Sequence, residues 1–171
     1  WIYSTNTLPQ YSVPIYKGTD AGEAKATEFY KTYGVLYNWP AAMKACPHGW
    51  HLPSDAEWKL LEKQLGMLET GSDSRIRRSH SEVANQMKEV GIIHWKSPNK
   101  NSNNKSGFSA LPGGHIEDGL FYSRDLGYDA YFWSSTESDA EHAWSRKLDF
   151  DSIIKWQENK SYKYSVRCIK D

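Results

Sequence analysis

The segment GVLYNWPAAMKACPHGWHLPSDAEW, residues 34–58, holds the densest set of local folding signals in the chain. Within it Asn38–Cys46 reads as a short helix, because Pro40 falls in the first turn, where a missing N–H does least harm. Ser54 and Glu57 have capping-box spacing, so each side chain can satisfy an orphan backbone N–H of the other. Trp58, Leu61 and Leu65 then fall on one helical face, and Gly66 supplies the stop. A third, shorter helix is expected from Ser81 to Val90, with Val83, Met87 and Val90 on one side.

Downstream the signals change. Pro98 to Gly119 is crowded with Asn, Ser, Gly and Pro, a composition that marks loops. Beyond it the period becomes two. Trp144, Arg146, Leu148 and Phe150 alternate with Ala143, Ser145, Lys147 and Asp149, and Tyr162, Tyr164, Val166 and Cys168 alternate at the C-terminus. Helices early and short strands late argue α+β. Upstream, residues 1–33 carry scattered aromatics and two prolines without a long periodic pattern. They read as an extended arm packed on a domain that runs from 34 to 171.

At 171 residues the chain suits one domain. A chain of this size buries roughly 70% of its unfolded surface. Its 21 basic and 21 acidic residues balance, so it carries no basic stripe for nucleic acid and no polybasic membrane patch. Mean hydropathy is −0.75, yet 14% of residues are aromatic, which separates a loop-rich globular chain from a disordered one. No run of eighteen apolar residues exists to form a membrane-spanning helix.

Cys46 and Cys168 are too far apart for a CxxC redox or zinc pair. They are either two buried thiols or a disulfide joining the two ends of the domain. The even count favours the disulfide, hence an oxidising compartment.

The same residues carry a family resemblance. Gly34–Trp58, SGFSALPGGHIEDGLF (Ser106–Phe121), YFWSSTESDAEHAWSRKLDF (Tyr131–Phe150) and NKSYKYSVRCIKD (Asn159–Asp171) resemble, in order, the blocks of the Fibrobacter succinogenes major paralogous domain. The resemblance implies a bacterial exported domain, often part of surface lipoproteins. It also implies a C-type-lectin-like fold of the formylglycine-generating-enzyme branch, with short helices on small antiparallel sheets. In such folds a cysteine after the first helical region often pairs with one in the last strand, which matches Cys46 and Cys168. The arm of residues 1–33 lies outside these blocks.

The chain departs from the catalytic and sugar-binding members of that fold. Its two cysteines are taken by the bridge, not by copper. Its six histidines show no HxxxH or HxH spacing. His48 and His51, the nearest pair, sit between prolines and read as structural. The EPN, QPD and WND triplets of calcium-dependent lectins are absent. No G-x-S-x-G elbow, P-loop or dinucleotide fingerprint occurs. No catalytic residue is therefore assigned, and glycan hydrolysis or metal-dependent oxidation is the least favoured reading.

Aromatic residues point instead to binding, because exposed Trp and Tyr with Arg anchor interfaces and stack on sugars. The binding candidates are Trp156, Tyr128, Tyr122 and Arg146, whereas Trp133 and Trp144 are expected in the core. Asp118, Glu137, Asp139, Asp149 and Asp151 are calcium candidates only by ligand type, since no fixed spacing supports them. No cofactor other than calcium is expected. The reading is an exported, non-catalytic module of the bacterial cell envelope that binds a protein of a surface assembly. A carbohydrate-binding lipoprotein, anchored by a lipid ahead of Trp1, and a structural pilus or adhesin component are the alternatives.

Overall fold

A computed structural model describes residues 8–14, 16–18, 20–68, 81–96, 98–117 and 123–171. Among them lie β1 (Tyr11–Ser12), α1 (Ala21–Ala26), α2 (Glu28–Tyr33), β2 (Leu36–Tyr37), α3 (Trp39–Ala42), β3 (Trp50–His51) and α4 (Asp55–Gln64). They are followed by α5 (Ser81–Met87), β4 (Ala130–Glu137), β5 (His142–Leu148), β6 (Ile153–Asn159) and β7 (Ile169–Lys170). These are short helices and small antiparallel sheets, as expected. Strand β1 pairs with β2, β3 pairs with β7, and β4-β5-β6 form the largest sheet. No helix among the described residues is long and apolar enough to cross a membrane.

The capping box forms as read: Ser54 accepts from the Glu57 N–H, and Glu57 accepts from the Ser54 N–H. Helix α4 then lays Trp58 into the core, with Leu61 and Leu65 packed beside it. Helix α3 is shorter than expected and starts at Asn38, whose Oδ1 caps Ala41 and also accepts from the Gln10 N–H. Asn38 Nδ2 donates to the Leu8 carbonyl, so this buried amide clamps the lead-in onto the domain. That lead-in is extended only near β1. Asp20 and Thr27 cap two six-residue helices instead, each accepting the backbone N–H three residues on.

The β4-β5-β6 sheet is covered on both sides, because cross-strand partners share a face. On one face Ala130, Phe132, Leu148 and Ile153 pack against Trp58, Val83, Ala84, Met87 and Trp95. On the other, Tyr131, Trp133 and Ala143 pack with Ala42, Leu52 and Tyr164. Each large indole also finds an acceptor. Trp95 Nε1 donates to the Ala110 carbonyl at 2.9 Å and Trp133 Nε1 to the Tyr37 carbonyl at 2.8 Å.

Double coverage changes the expected alternation of β5. Ala143, Ser145, Arg146 and Leu148 are all buried, while Trp144, expected in the core, is only half-buried beneath the Lys155 ammonium at 4.0 Å. Phe150 is exposed. The C-terminal alternation holds for side chains but not as one strand. Ile116, Tyr37 and Phe132 bridge in turn to Lys163, Tyr164 and Ser165, and regular pairing resumes only at β7. Cys46 and Cys168 form a disulfide with Cα atoms 5.7 Å apart, tying the segment after α3 to the residue before β7. In the LPGG turn, Gly114 has φ +62°, and an added Cβ would sit 2.0 Å from the Arg124 carbonyl, so only glycine fits.

Candidate functional site

Helix α5 ends at Met87, three residues short of the Val90 at which the sequence pattern expects it to end. The backbone turns away because Lys88 and Glu89 are taken by Ala110, which bridges Lys88 and accepts from the Glu89 N–H. Six residues later the chain is pinned again by Trp95, which is buried in the core. Between these anchors Gly91 adopts φ +88°, and Val90, Ile92 and Ile93 point outward with 57%, 68% and 83% of their surface exposed.

This tip is held rather than loose. The buried Asn99 amide donates to the carbonyls of Glu89 and Gly91 at 3.0 and 2.7 Å, while its Oδ1 accepts from Ser102. The His94 ring bonds the Glu89 carboxylate at 2.9 Å. Below it, Lys88 Nζ donates to the Asp149 and Phe150 carbonyls, tying the loop to the β5–β6 turn. Burial pushes the Lys88 ammonium down to about 8. Part of the Asn- and Ser-rich stretch after Pro98 is therefore internal bracing.

The tip adjoins aromatic neighbours on two sides. Lys96 donates its N–H to the Gly127 carbonyl and lays its ammonium 4.5 Å over the Tyr128 ring, which is 53% exposed. His94 meets Tyr33 of α2 edge-on at 5.8 Å. Tyr33 in turn lines a groove of about 400 Å³ with Tyr30, Lys31, Thr32, Gly34, Leu111, Gly113, Phe132, Ser165, Val166 and Arg167. A second groove of about 340 Å³ shares Tyr30 and continues past Lys25, Tyr37 and Tyr11. Both volumes lie in the range of ligand clefts. Among the described residues the lining of the two grooves includes no carboxylate and no histidine.

Of the residues singled out from sequence, Tyr128 falls on this face. Trp156 is 41% exposed on β6, in a different part of the chain's fold from the Lys96–Tyr128 contact. Tyr122 and Asp118 lie outside the described residues. Arg146 is not a surface anchor: its side chain is fully buried, with Nη1 on Asp55 at 2.9 Å and Nε on Glu62. It lies on the face of the sheet that α4 covers, beside Phe132, where its charge is answered twice. Burial holds the Glu62 carboxyl above its ordinary range despite this partner.

The calcium candidates are dispersed into other roles. Glu137 accepts from Lys160, Asp139 from the His142 backbone and Gln157, and buried Asp149 closes a turn through the Asp151 and Ser152 N–H groups. Asp151 lies in that turn. Among the described residues no group of three or more His, Cys, Asp or Glu is placed to hold a metal. His51 is a structural link, bonded to Asp171 and to Glu57 of the capping box; those two bonds, Asp171 first, raise its pKa.

The sequence pattern of the Fibrobacter succinogenes major domain matches residues 6–170. The chain belongs to that family. The match begins well ahead of Gly34, so the Fibrobacter succinogenes major domain takes in β1, α1 and α2, the helix that walls both grooves. No curated protein and no solved structure matches the chain. The braced apolar tip of this family member was not read from sequence. Its signal is Val90-Gly91-Ile92-Ile93, an apolar run too short for an element and placed after a helix end.

Proposed function

We propose that the chain is an exported, non-catalytic protein-binding module of the bacterial cell envelope, with the C-type-lectin-like fold of the formylglycine-generating-enzyme branch. Its docking face is the tip Val90–Ile93 with Tyr128 on one side and Tyr33 and the α2 grooves on the other. The observation that carries this reading is that three large aliphatic side chains are held in water by a fully hydrogen-bonded brace. Burying each one is worth about 1.5–3 kcal/mol. The loop is already ordered, so a partner gains that energy without the usual cost of ordering. Tyr with aliphatic anchors and a polar surround is the make-up of an interface centre.

Export is supported by the Cys46–Cys168 bridge, since such bonds persist in oxidising compartments. The fold assignment is supported by the four sequence blocks, and the bridge joins the two positions that the resemblance implies. A carbohydrate ligand is the second reading, favoured by the four tyrosines Tyr11, Tyr30, Tyr33 and Tyr37 around the grooves.

The test is an Ile92→Ser/Ile93→Ser double variant expressed in the producing bacterium and purified after mild crosslinking. A protein partner present with the wild type and missing with the folded variant is the expected result. Equal recovery of the same partner from both would refute the docking face.

A further inference from the structure

We infer that the two grooves beside α2 receive an extended acidic segment of the partner polypeptide, with Arg167 as the principal counter-ion of a carboxylate side chain; this rests on the protein-binding reading above. Arg167 is fixed in place: Nη2 donates to the Phe108 and Ser109 carbonyls at 2.7 and 3.2 Å, and the guanidinium lies 4.9 Å over the Phe108 ring. Those contacts leave Nε and Nη1 without a protein partner among the described residues, and none of the contacts is to a carboxylate. The contrast with the other described arginines is sharp, for Arg146 meets Asp55 and Glu62, and Arg124 meets Glu117.

An oriented guanidinium with spare donors is suited to a carboxylate, which it binds through paired, charge-assisted hydrogen bonds. The rest of the lining agrees. Phenols of Tyr30 and Tyr33 and hydroxyls of Thr32 and Ser165 also line the groove, and the carboxylates nearest to it, Glu89 by Tyr33 and Glu28, are already bonded to His94 and Lys31. Lys31 also lines the groove but is answered by Glu28 at 2.6 Å. Lys25, in the second groove, has no ion-pair partner among the described residues. Because the grooves share Tyr30, a chain can run through both and pass two cations in succession. The apolar tip next to Tyr33 favours a polypeptide over a uronic-acid polysaccharide, since only the former brings aliphatic side chains to Ile92 and Ile93.

The test uses the full disulfide-bonded chain to select from a displayed library of random dodecapeptides. Enriched sequences are then made as amide-capped peptides and titrated by fluorescence anisotropy. The expected result is enrichment of Asp or Glu beside aliphatic residues. Replacing that acid by its amide should weaken binding to the wild type at least tenfold, yet make no difference to Arg167→Gln. The peptide substitution on wild-type protein reads the same interaction even if Arg167→Gln does not fold.

Peptides that need Ile92 and Ile93 but carry no acid, or that bind Arg167→Gln as well as wild type, would overturn the acidic-segment inference alone. Failure to enrich any peptide, with a polygalacturonate oligomer binding in an Arg167-dependent way, would overturn the protein-binding reading as well.

Discussion

Arg146→Met should destabilise the fold by about 3–5 kcal/mol at pH 7, the usual range when one partner of a buried pair is removed. The value follows from what is left behind. Asp55 keeps Lys155 at 2.8 Å and Lys59 at 3.4 Å, so it stays answered. Glu62, whose side chain is 3% exposed, loses its ion-pair partner, and its carboxylate must either remain charged in the core or take a proton. Methionine fills much of the arginine stem's volume, so packing loss is a smaller contribution. Two consequences separate this account from a simple packing effect. Because burial already holds the Glu62 pKa above its ordinary value, the folded variant should bind that proton more readily than the unfolded chain, and the deficit should shrink as pH falls toward 4. Adding Glu62→Met should recover most of the loss. Urea unfolding with the disulfide intact, at pH 7 and pH 4.5, provides the assay. A single variant within 1 kcal/mol of wild type, or a double variant no better than the single, would refute the reasoning.

The remaining predictions concern the bridge, a buried lysine and the apolar tip. Cys46→Ser/Cys168→Ser opens a loop of 122 residues and should cost about 5 kcal/mol in chain entropy, read as a lowered urea midpoint; an unchanged midpoint contradicts it. Lys88, depressed from 10.5 to about 8, costs the folded state roughly 3 kcal/mol at neutral pH. Since the unfolded chain then holds more protons, stability should rise relative to Lys88→Met between pH 7.5 and 9.5, and parallel curves would count against it. Ile92→Ser/Ile93→Ser should leave unfolding free energy within about 0.5 kcal/mol of wild type, as exposed positions do. A larger loss by the same urea assay would mean the tip belongs to the core.

Local chemistry was legible where one short segment decides it. Ser54 and Glu57 announced α4, and Pro40 placed α3. The even cysteine count, together with the family resemblance, pointed to the Cys46–Cys168 bridge. Asp20 with Glu23 three positions on, and Thr27 before Glu28, carried cap signals for α1 and α2 that six-residue helices leave too brief to notice.

What was not legible depends on contacts far apart in sequence. The β5 alternation does not distinguish a strand covered on one face from one covered on both, so Arg146 reads as an exposed anchor until Asp55 and Glu62 are brought to it. Trp144 errs in the opposite direction, because Lys155 rather than the core covers it. The docking face is harder still. An apolar run normally signals burial, and it takes distant contacts, Ala110 on Lys88 and Glu89 and the Asn99 amide on Glu89 and Gly91, to leave Val90, Ile92 and Ile93 outward.

A photoreactive phenylalanine at position 93, activated on intact cells of the producing bacterium, tests the docking face most directly, with the same probe at position 156 as comparison. A single discrete protein adduct from position 93, absent from position 156, is the predicted result. Adducts from 156 alone, or none from 93 on folded, exported protein, would contradict the account.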